Sequence, residues 1–358
     1  MNFSFSRLRP GRMERTITSA SATGVTTTAT VGGGHNAAAA AMAGAMTGTS
    51  RGPVGTIGAL AESTVAARVV GVADLTTLAT GRHPGVAAAA TDLAHESTLL
   101  SCIDLGLRVG NARRSRQLLQ GLNLTAHRGE FWCVLGANGA GKTTLLHTLA
   151  GLQAPDAGSL QLAGRVMAQW SARDAACLRG FLPQGGDALF GLSALQAVLL
   201  GRHPHSRSQF GLTWESDEDL AIAQAALERL DLVDLADREV SSLSGGERQR
   251  VALAALLAQD PLVYLLDEPL NHLDLRHQLG VMALLREQAL DHGRLVMASV
   301  HDASLAARFA THALVIVGPG RCIAGPADDV LTDEVLSAAL GHALRRVQVD
   351  GQTLVVAM

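Results

Sequence analysis

Residues Phe131 to Leu152, FWCVLGANGAGKTTLLHTLAGL, restrict the fold more than any other stretch of this chain. Phe131 to Leu135 is a short apolar run suited to a buried strand, and the leucine- and alanine-rich segment from Thr143 onward is suited to a helix. Between them Gly136, Gly141, Lys142 and Thr143 fit the phosphate-binding pattern G-x-x-x-x-G-K-[ST]. Such a loop turns backbone N–H groups toward phosphate oxygens, and the helix N-terminus adds partial positive charge. Lys142 is expected to neutralise β and γ phosphates, and the Thr143 hydroxyl to ligate Mg²⁺. Of the 29 basic residues every one but Lys142 is arginine. A planar guanidinium cannot replace a compact ammonium inside so tight a loop.

The chain has 358 residues, room for two domains, and 47% hydrophobic residues supply a sizeable core. A net charge of −3 implies no global pull toward nucleic acid or an anionic membrane. Cys102, Cys133, Cys177 and Cys322 are widely spaced without a C-x-x-C pair, which argues against zinc and a disulfide framework and suits a reducing cytoplasm. No run of about 18 uncharged apolar residues occurs, so no membrane span is expected.

Residues 1–97 differ in texture from the rest. They are built from Ala, Gly, Thr, Ser and Val, with TTTATVGGG and AAAAAMAGAM as low-complexity pieces, and are expected to form a disordered extension. Four arginines in the first 15 residues suggest a targeting peptide, but there is no apolar core and no cleavage site. The plainer expectation is an extension without function, such as an early start codon would add.

A folded domain is expected over 98–350, with 351–358 as its C-terminal end. LLSCIDLGLRV and LLQGLNLTAHRGE read as two strands joined by NARRSRQ, and SLQLAG and RVMAQW as further strands. About 185–247 reads as an inserted helical subdomain. Ser193 to Gly201 is helical in texture, Ser216 and Asp219 form an S-x-x-D cap, and Leu220, Ala223, Leu227 and Leu230 make one apolar face. LSGGERQRVALAALLAQDP follows as a helix opened by Gly245 and Gly246 and closed by Asp260–Pro261. VYLLDEP then delivers Asp267 and Glu268 to the carboxyl end of an apolar strand, where open α/β sheets place ligands. LVMASVHD puts His301 at the end of another strand, ALVIV is one more, and the last forty or so residues hold two strands around a helix from Asp333 to Leu340. The fold class is therefore α/β, with a phosphate-loop sheet and a helical insertion.

Phosphoryl transfer needs Mg²⁺, a positioned water and charge at the γ-phosphate. Asp267 supplies a carboxylate for the metal shell, and Glu268 is placed to polarise the attacking water as general base. His301 can bridge that water and the γ-phosphate, and Gln184 can reach metal or water. Ser244, Gly245 and Gly246 at a helix N-terminus make a second anion site that one chain cannot easily bring to its own loop.

In the order GANGAGKT, LPQ with Gln184, LSGGERQ, VYLLDEP, NHLD and His301, the sequence resembles the ATP-binding subunits of ABC transporters over about residues 99 to 350. The resemblance implies a P-loop cassette with an antiparallel β subdomain and an inserted helical subdomain, and an ATPase using ATP and Mg²⁺. Its ATP ligands would be Gly136, Asn138, Gly139, Gly141, Lys142, Thr143 and Thr144, with Ser244, Gly245 and Gly246 closing from a second copy. Thr143, Gln184 and Asp267 would serve Mg²⁺, and Glu268, His301 and Gln184 catalysis. A head-to-tail homodimer would drive integral membrane permease subunits, contacted through about 185–205, with a periplasmic binding protein acting indirectly. The chain would lie peripherally on the cytoplasmic face of the inner membrane. At Glu247 the family commonly has glutamine.

The family also has an aromatic that stacks on adenine, which falls here near Gly110–Asn111, and Gly106 to Leu122 contains none. Either Arg113, Arg114 or Arg116 stacks instead, or base selectivity is relaxed. VLLGRHPH, Val198 to His205, and NHLDLRHQ, Asn271 to Gln278, resemble ATPases of the iron–siderophore, haem and cobalamin importers. Cobalamin is expected first, ferric siderophore second and haem third. His203 and His205 flank a proline with no carboxylate or cysteine nearby, which argues against a metal site. The rival is a soluble ABC ATPase acting on nucleic acid or ribosomes. Such chains carry two cassettes or long coiled coils, and no basic stripe with aromatics is present, so no nucleic-acid partner is expected.

Overall fold

A computed structural model describes residues 97–111, 114–185, 191–205 and 216–358. Apart from Ser97, the extension expected over 1–97 lies outside the described residues, as do Arg113 and 206–215 of the insertion.

A six-stranded sheet carries the site. Its strands are β3 (Phe131–Gly136), β6 (Arg179–Leu182), β7 (Val263–Leu266), β8 (Leu295–Ser299), β9 (His312–Gly318) and β10 (Arg321–Pro326). They run β10-β9-β3-β8-β7-β6, parallel except for the antiparallel pair β10–β9 at one edge. Strand side chains alternate between faces, so both faces of β3 are filled from one run. Trp132 and Val134 join one core with Leu145, Leu146, Leu149 and Met297. Phe131, Cys133 and Leu135 join the other with Tyr264, Leu266 and Val296. Burial on both faces is why these strands read as unbroken apolar runs.

The first core is closed by an antiparallel sheet, order β2-β1-β4-β5, from β1 (Thr98–Asn111), β2 (Arg114–His127), β4 (Ala157–Leu162) and β5 (Arg165–Val166). β1 and β2 extend into the polar link expected to join them, pairing as far as Asn111 with Arg114. RVMAQW is a strand only at Arg165–Val166, since a 3-10 turn takes Met167–Gln169. Ser171 then caps a helix, Ala172–Leu178, by accepting from the Asp174 amide.

Helices cover the second core: α3 (Ala194–Leu200), α4 (Asp217–Arg229), α5 (Gly245–Gln259) and α6 (Leu275–Leu290), following α1 (Lys142–Leu149) and α2 (Ala172–Leu178). On α4 the buried residues are Ala223, Ala226 and Leu227, while Leu220 is only half-buried, so the apolar face is turned slightly from the one expected. Ser216 accepts from the Asp219 amide as expected of a cap. The Asp219 carboxylate does not complete a reciprocal box: it takes the Ser216 hydroxyl and Arg202.

The G-R-x-P-H segment ties these helices together. A Cβ on Gly201 would lie 2.1 Å from the Ala255 carbonyl, so α3 and α5 meet there backbone to backbone. Arg202 donates to Asp219 on α4 at 2.8 Å and to the Ala258 carbonyl on α5 at 2.7 Å. His205 Nε2 lies 2.8 Å from the Gln259 carbonyl.

The C-terminal part holds one strand more than expected. β10 precedes the Asp333–Leu340 helix, and β11 (Leu344–Val349) and β12 (Gln352–Ala357) follow it as an antiparallel hairpin. The end expected at residue 350 falls in its turn, and Val355 bonds back to Ser304. No helix among the described residues is long and apolar enough to cross a membrane.

Candidate functional site: a phosphate-loop cleft

The carboxyl ends of β3, β6, β7 and β8 meet at one cleft of about 690 Å³. Its floor is the loop between β3 and α1, with Asn138, Gly139, Gly141, Lys142, Thr143 and Thr144 on its lining. Gly136 has φ +151°, and a Cβ there would lie 3.1 Å from the Ile316 carbonyl; Gly141, at φ +108°, caps α1. Both backbones are ones that L side chains rarely adopt, so these two glycines let the loop fold back on the helix end. Lys142, 6% exposed, donates to the Gly136 carbonyl at 2.8 Å and the Ala137 carbonyl at 3.4 Å. Burial lowers its pKa, and the charges of Glu268 and Asp267 pull the other way.

The far wall carries Gln184, Glu268 and His301. β6 ends at Leu182, and Pro183 cannot prolong the ladder, which leaves Gln184 to turn into the cleft. Gln184 Nε2 donates to Glu268 Oε2 at 2.7 Å, and His301 Nε2 lies 2.8 Å from Glu268 Oε1. Asn271 Nδ2 also donates to Oε2. Burial raises the Glu268 pKa, but the bonds from Asn271 and His301, with the charges of His301 and Lys142, outweigh it, and the net shift is downward. Glu268 is therefore held as a carboxylate. Its backbone sits at φ +51°, an uncommon conformation for a side-chain-bearing residue and the kind of strain that collects at working sites.

Asp267 is fully buried beneath this wall. Its Oδ1 accepts from Ser299, and its Oδ2 is a buried oxygen with no partner. A buried, half-satisfied carboxylate is costly unless something binds it. A hard cation that prefers carboxylate and hydroxyl oxygens fits that atom, and Thr143 on the cleft lining supplies a hydroxyl.

The cleft thus unites the sequence-derived residues of the loop with Gln184, Glu268 and His301, and Asp267 lies next along the chain beneath them. It does not include Ser244, Gly245 or Gly246. These open α5, where Ser244 and Glu247 form a reciprocal capping box, the Glu247 carboxylate taking the Ser244 amide at 2.7 Å. A glutamate serves this box as well as a glutamine. The sequence reading missed Asn271, Ser299, Val109 and Leu118. Asn271 lies three residues after Glu268 and Ser299 two before His301, so spacing from these two residues was the available signal. Val109 and Leu118 form the outer end of the cleft, near the place where an aromatic is lacking. Arg116 borders an adjoining cavity of about 300 Å³ that shares Leu118 and Asn138.

The ABC transporter family profile matches residues 119–271. The hemin import ATP-binding protein of Gloeobacter violaceus is 40% identical over 250 residues, 68% of this chain and 87% of that protein. The chain belongs to the ABC transporter family. It is an ATPase of that family, and its fold is the family's cassette. A probable siderophore transport system ATP-binding protein of Bacillus subtilis is 39% identical over 219 residues, 61% of this chain and 78% of the relative. Among solved structures, an inward-facing metal-chelate type ABC transporter is 30% identical with a TM-score of 0.62, covering 73% of this chain and 98% of that one.

Proposed function

We propose that this ABC cassette powers the import of a metal chelate, with two copies of the chain enclosing two ATP molecules. The observation that carries the reading is Glu268, fixed as a carboxylate between Gln184 and His301 at the mouth of a phosphate loop. The loop amides and Lys142 take the β and γ phosphates, Lys142 exchanging two carbonyl oxygens for anionic ones. Glu268 accepts the proton of the attacking water, and His301 holds that water against the γ-phosphate. Thr143, Gln184 and the unpartnered Asp267 oxygen would hold Mg²⁺, which neutralises charge gathering on the phosphates.

Ser244, Gly245 and Gly246 of a second copy close over the nucleotide, since these residues lie off the chain's own cleft and present a helix N-terminus. ATP thus joins two copies, and hydrolysis parts them. The permease is contacted through about 185–205, and a periplasmic binding protein delivers cargo to it. The chain sits peripherally on the cytoplasmic face of the inner membrane. Relatives named for hemin and siderophore import, and a metal-chelate type neighbour, support the chelate class. Within it we retain the order cobalamin, ferric siderophore, haem; the chelate that rescues growth of a deletion strain tests that order.

Glu268→Gln tests the reading. Nucleotide binding should persist, turnover should fall at least a hundredfold, and ATP should trap a dimer on size exclusion. Turnover near the parent rate removes Glu268 from the base role.

A further inference from the structure

We infer that Asn271 is a positioning residue for the reaction, keeping the Glu268 carboxylate aimed into the cleft while Gln184 and His301 attend to the nucleotide. The inference rests on the proposed role of Glu268 as base.

Among the described residues, three side chains hold that carboxylate. His301 lies at Oε1, and Gln184 and Asn271 both donate to Oε2. In the proposed reaction His301 turns to the γ-phosphate, and Gln184 to metal or water. Each departure loosens Glu268 just when its direction matters, and a reacting group misplaced by about 1 Å can cost 100-fold. Asn271 is left without a nucleotide duty, and it does not line the cleft.

Its setting suits a fixed support. The Asn271 amide donates to the Glu268 carbonyl at 3.2 Å, so base and support share one turn. That turn is anchored from both sides. On α5 the buried Gln249 donates to the Pro269 carbonyl at 3.1 Å, and on α6 Gln278 donates to the Leu273 carbonyl at 3.1 Å. His272, at φ +64°, presses its carbonyl so close to Gly246 that a Cβ there would lie 2.8 Å away. The Gln249 and Gln278 anchors touch neither the phosphate loop nor the Ser244–Gly246 segment, so nucleotide arrival leaves them standing.

The test is steady-state ATPase kinetics on the full chain. Asn271→Ala should lower kcat about tenfold and leave KM for ATP within about twofold, because the loop is untouched. Asn271→Asp, alike in shape but unable to donate when ionised, should lose at least as much. Added to Glu268→Gln, Asn271→Ala should not lower the residual rate further, since it acts through the group already removed. Unfolding midpoints of all variants guard against loss of fold. An unchanged kcat in Asn271→Ala, a rise in KM alone, or multiplicative losses in the double variant overturns the inference. If Glu268→Gln alone keeps turning over, the base assignment fails instead.

Discussion

The Ser299 hydroxyl donates to Asp267 Oδ1 at 2.7 Å, and both residues are fully buried. The Ser299 Oγ in turn accepts from the Glu268 amide at 2.7 Å. One hydroxyl at the end of β8 therefore ties the Asp267 carboxylate to the Glu268 backbone, while the other Asp267 oxygen is buried and unpaired.

Ser299→Ala should act on metal use before anything else. Loss of a bond that orients a ligand commonly costs about 10- to 100-fold in metal affinity. The Mg²⁺ concentration for half-maximal ATPase should rise at least tenfold. Leaving a buried carboxylate oxygen and an amide unpaired should also cost about 1–3 kcal/mol in urea unfolding. A variant with the parent's Mg²⁺ dependence would contradict the placement of Asp267.

Base discrimination should be weak. Where an aromatic would stack, Leu118 and the half-exposed Val109 offer aliphatic contact. Aromatic pairing adds about 0.5–1.5 kcal/mol beyond area burial, and here it is absent on the protein side. GTP should be hydrolysed with kcat/KM within about tenfold of ATP, and Val109→Tyr should lower KM for both nucleotides a few-fold. Strict ATP preference in the parent chain would contradict this, and loss of ATP affinity in Arg116→Ala would point to arginine stacking.

The Arg202–Asp219 pair predicts a pH-dependent contribution to stability. Its side chains are 12% and 17% exposed, so solvent screens the pair little. Burial raises the Asp219 pKa, but bonds from Arg202 and Ser216 outweigh it, and the net value lies below the ordinary 3.8. A carboxyl depressed by folding stabilises fully above its unfolded pKa, and loses that effect as pH falls through its folded value. Asp219→Asn should therefore cost about 1–3 kcal/mol at pH 7, because a largely buried guanidinium loses its charged partner and keeps only its bond to the Ala258 carbonyl. The gap between variant and parent should close below about pH 4. A gap that stays constant down to pH 3 would mean Asp219 contributes by shape alone.

What the sequence disclosed follows from how locally each feature is encoded. The phosphate loop is written in contiguous residues, because strand, left-handed glycines and helix start are local demands. Glu268 and His301 were legible because each ends an apolar run. Strand order was not, since β3 sits between β8 and β9 through pairings made far along the chain. The same reason hid Ser299, whose bonds to Asp267 and Glu268 exist only once β7 and β8 are adjacent; Asn271 is local to Glu268, but nothing in its residue type marks that contact. RVMAQW misled because its apolar residues suit a strand, while Met167–Gln169 within it close into a 3-10 turn.

Lys142 carries the sole side-chain ammonium of the polypeptide. Reagents that acylate amines, or enzymes that modify lysine, consequently find one side chain to attack, apart from the α-amino group. That side chain is folded over its own carbonyls at the phosphate seat. Lysine chemistry away from this cleft is closed to the sequence, and acylation of Lys142 should abolish its ATP turnover.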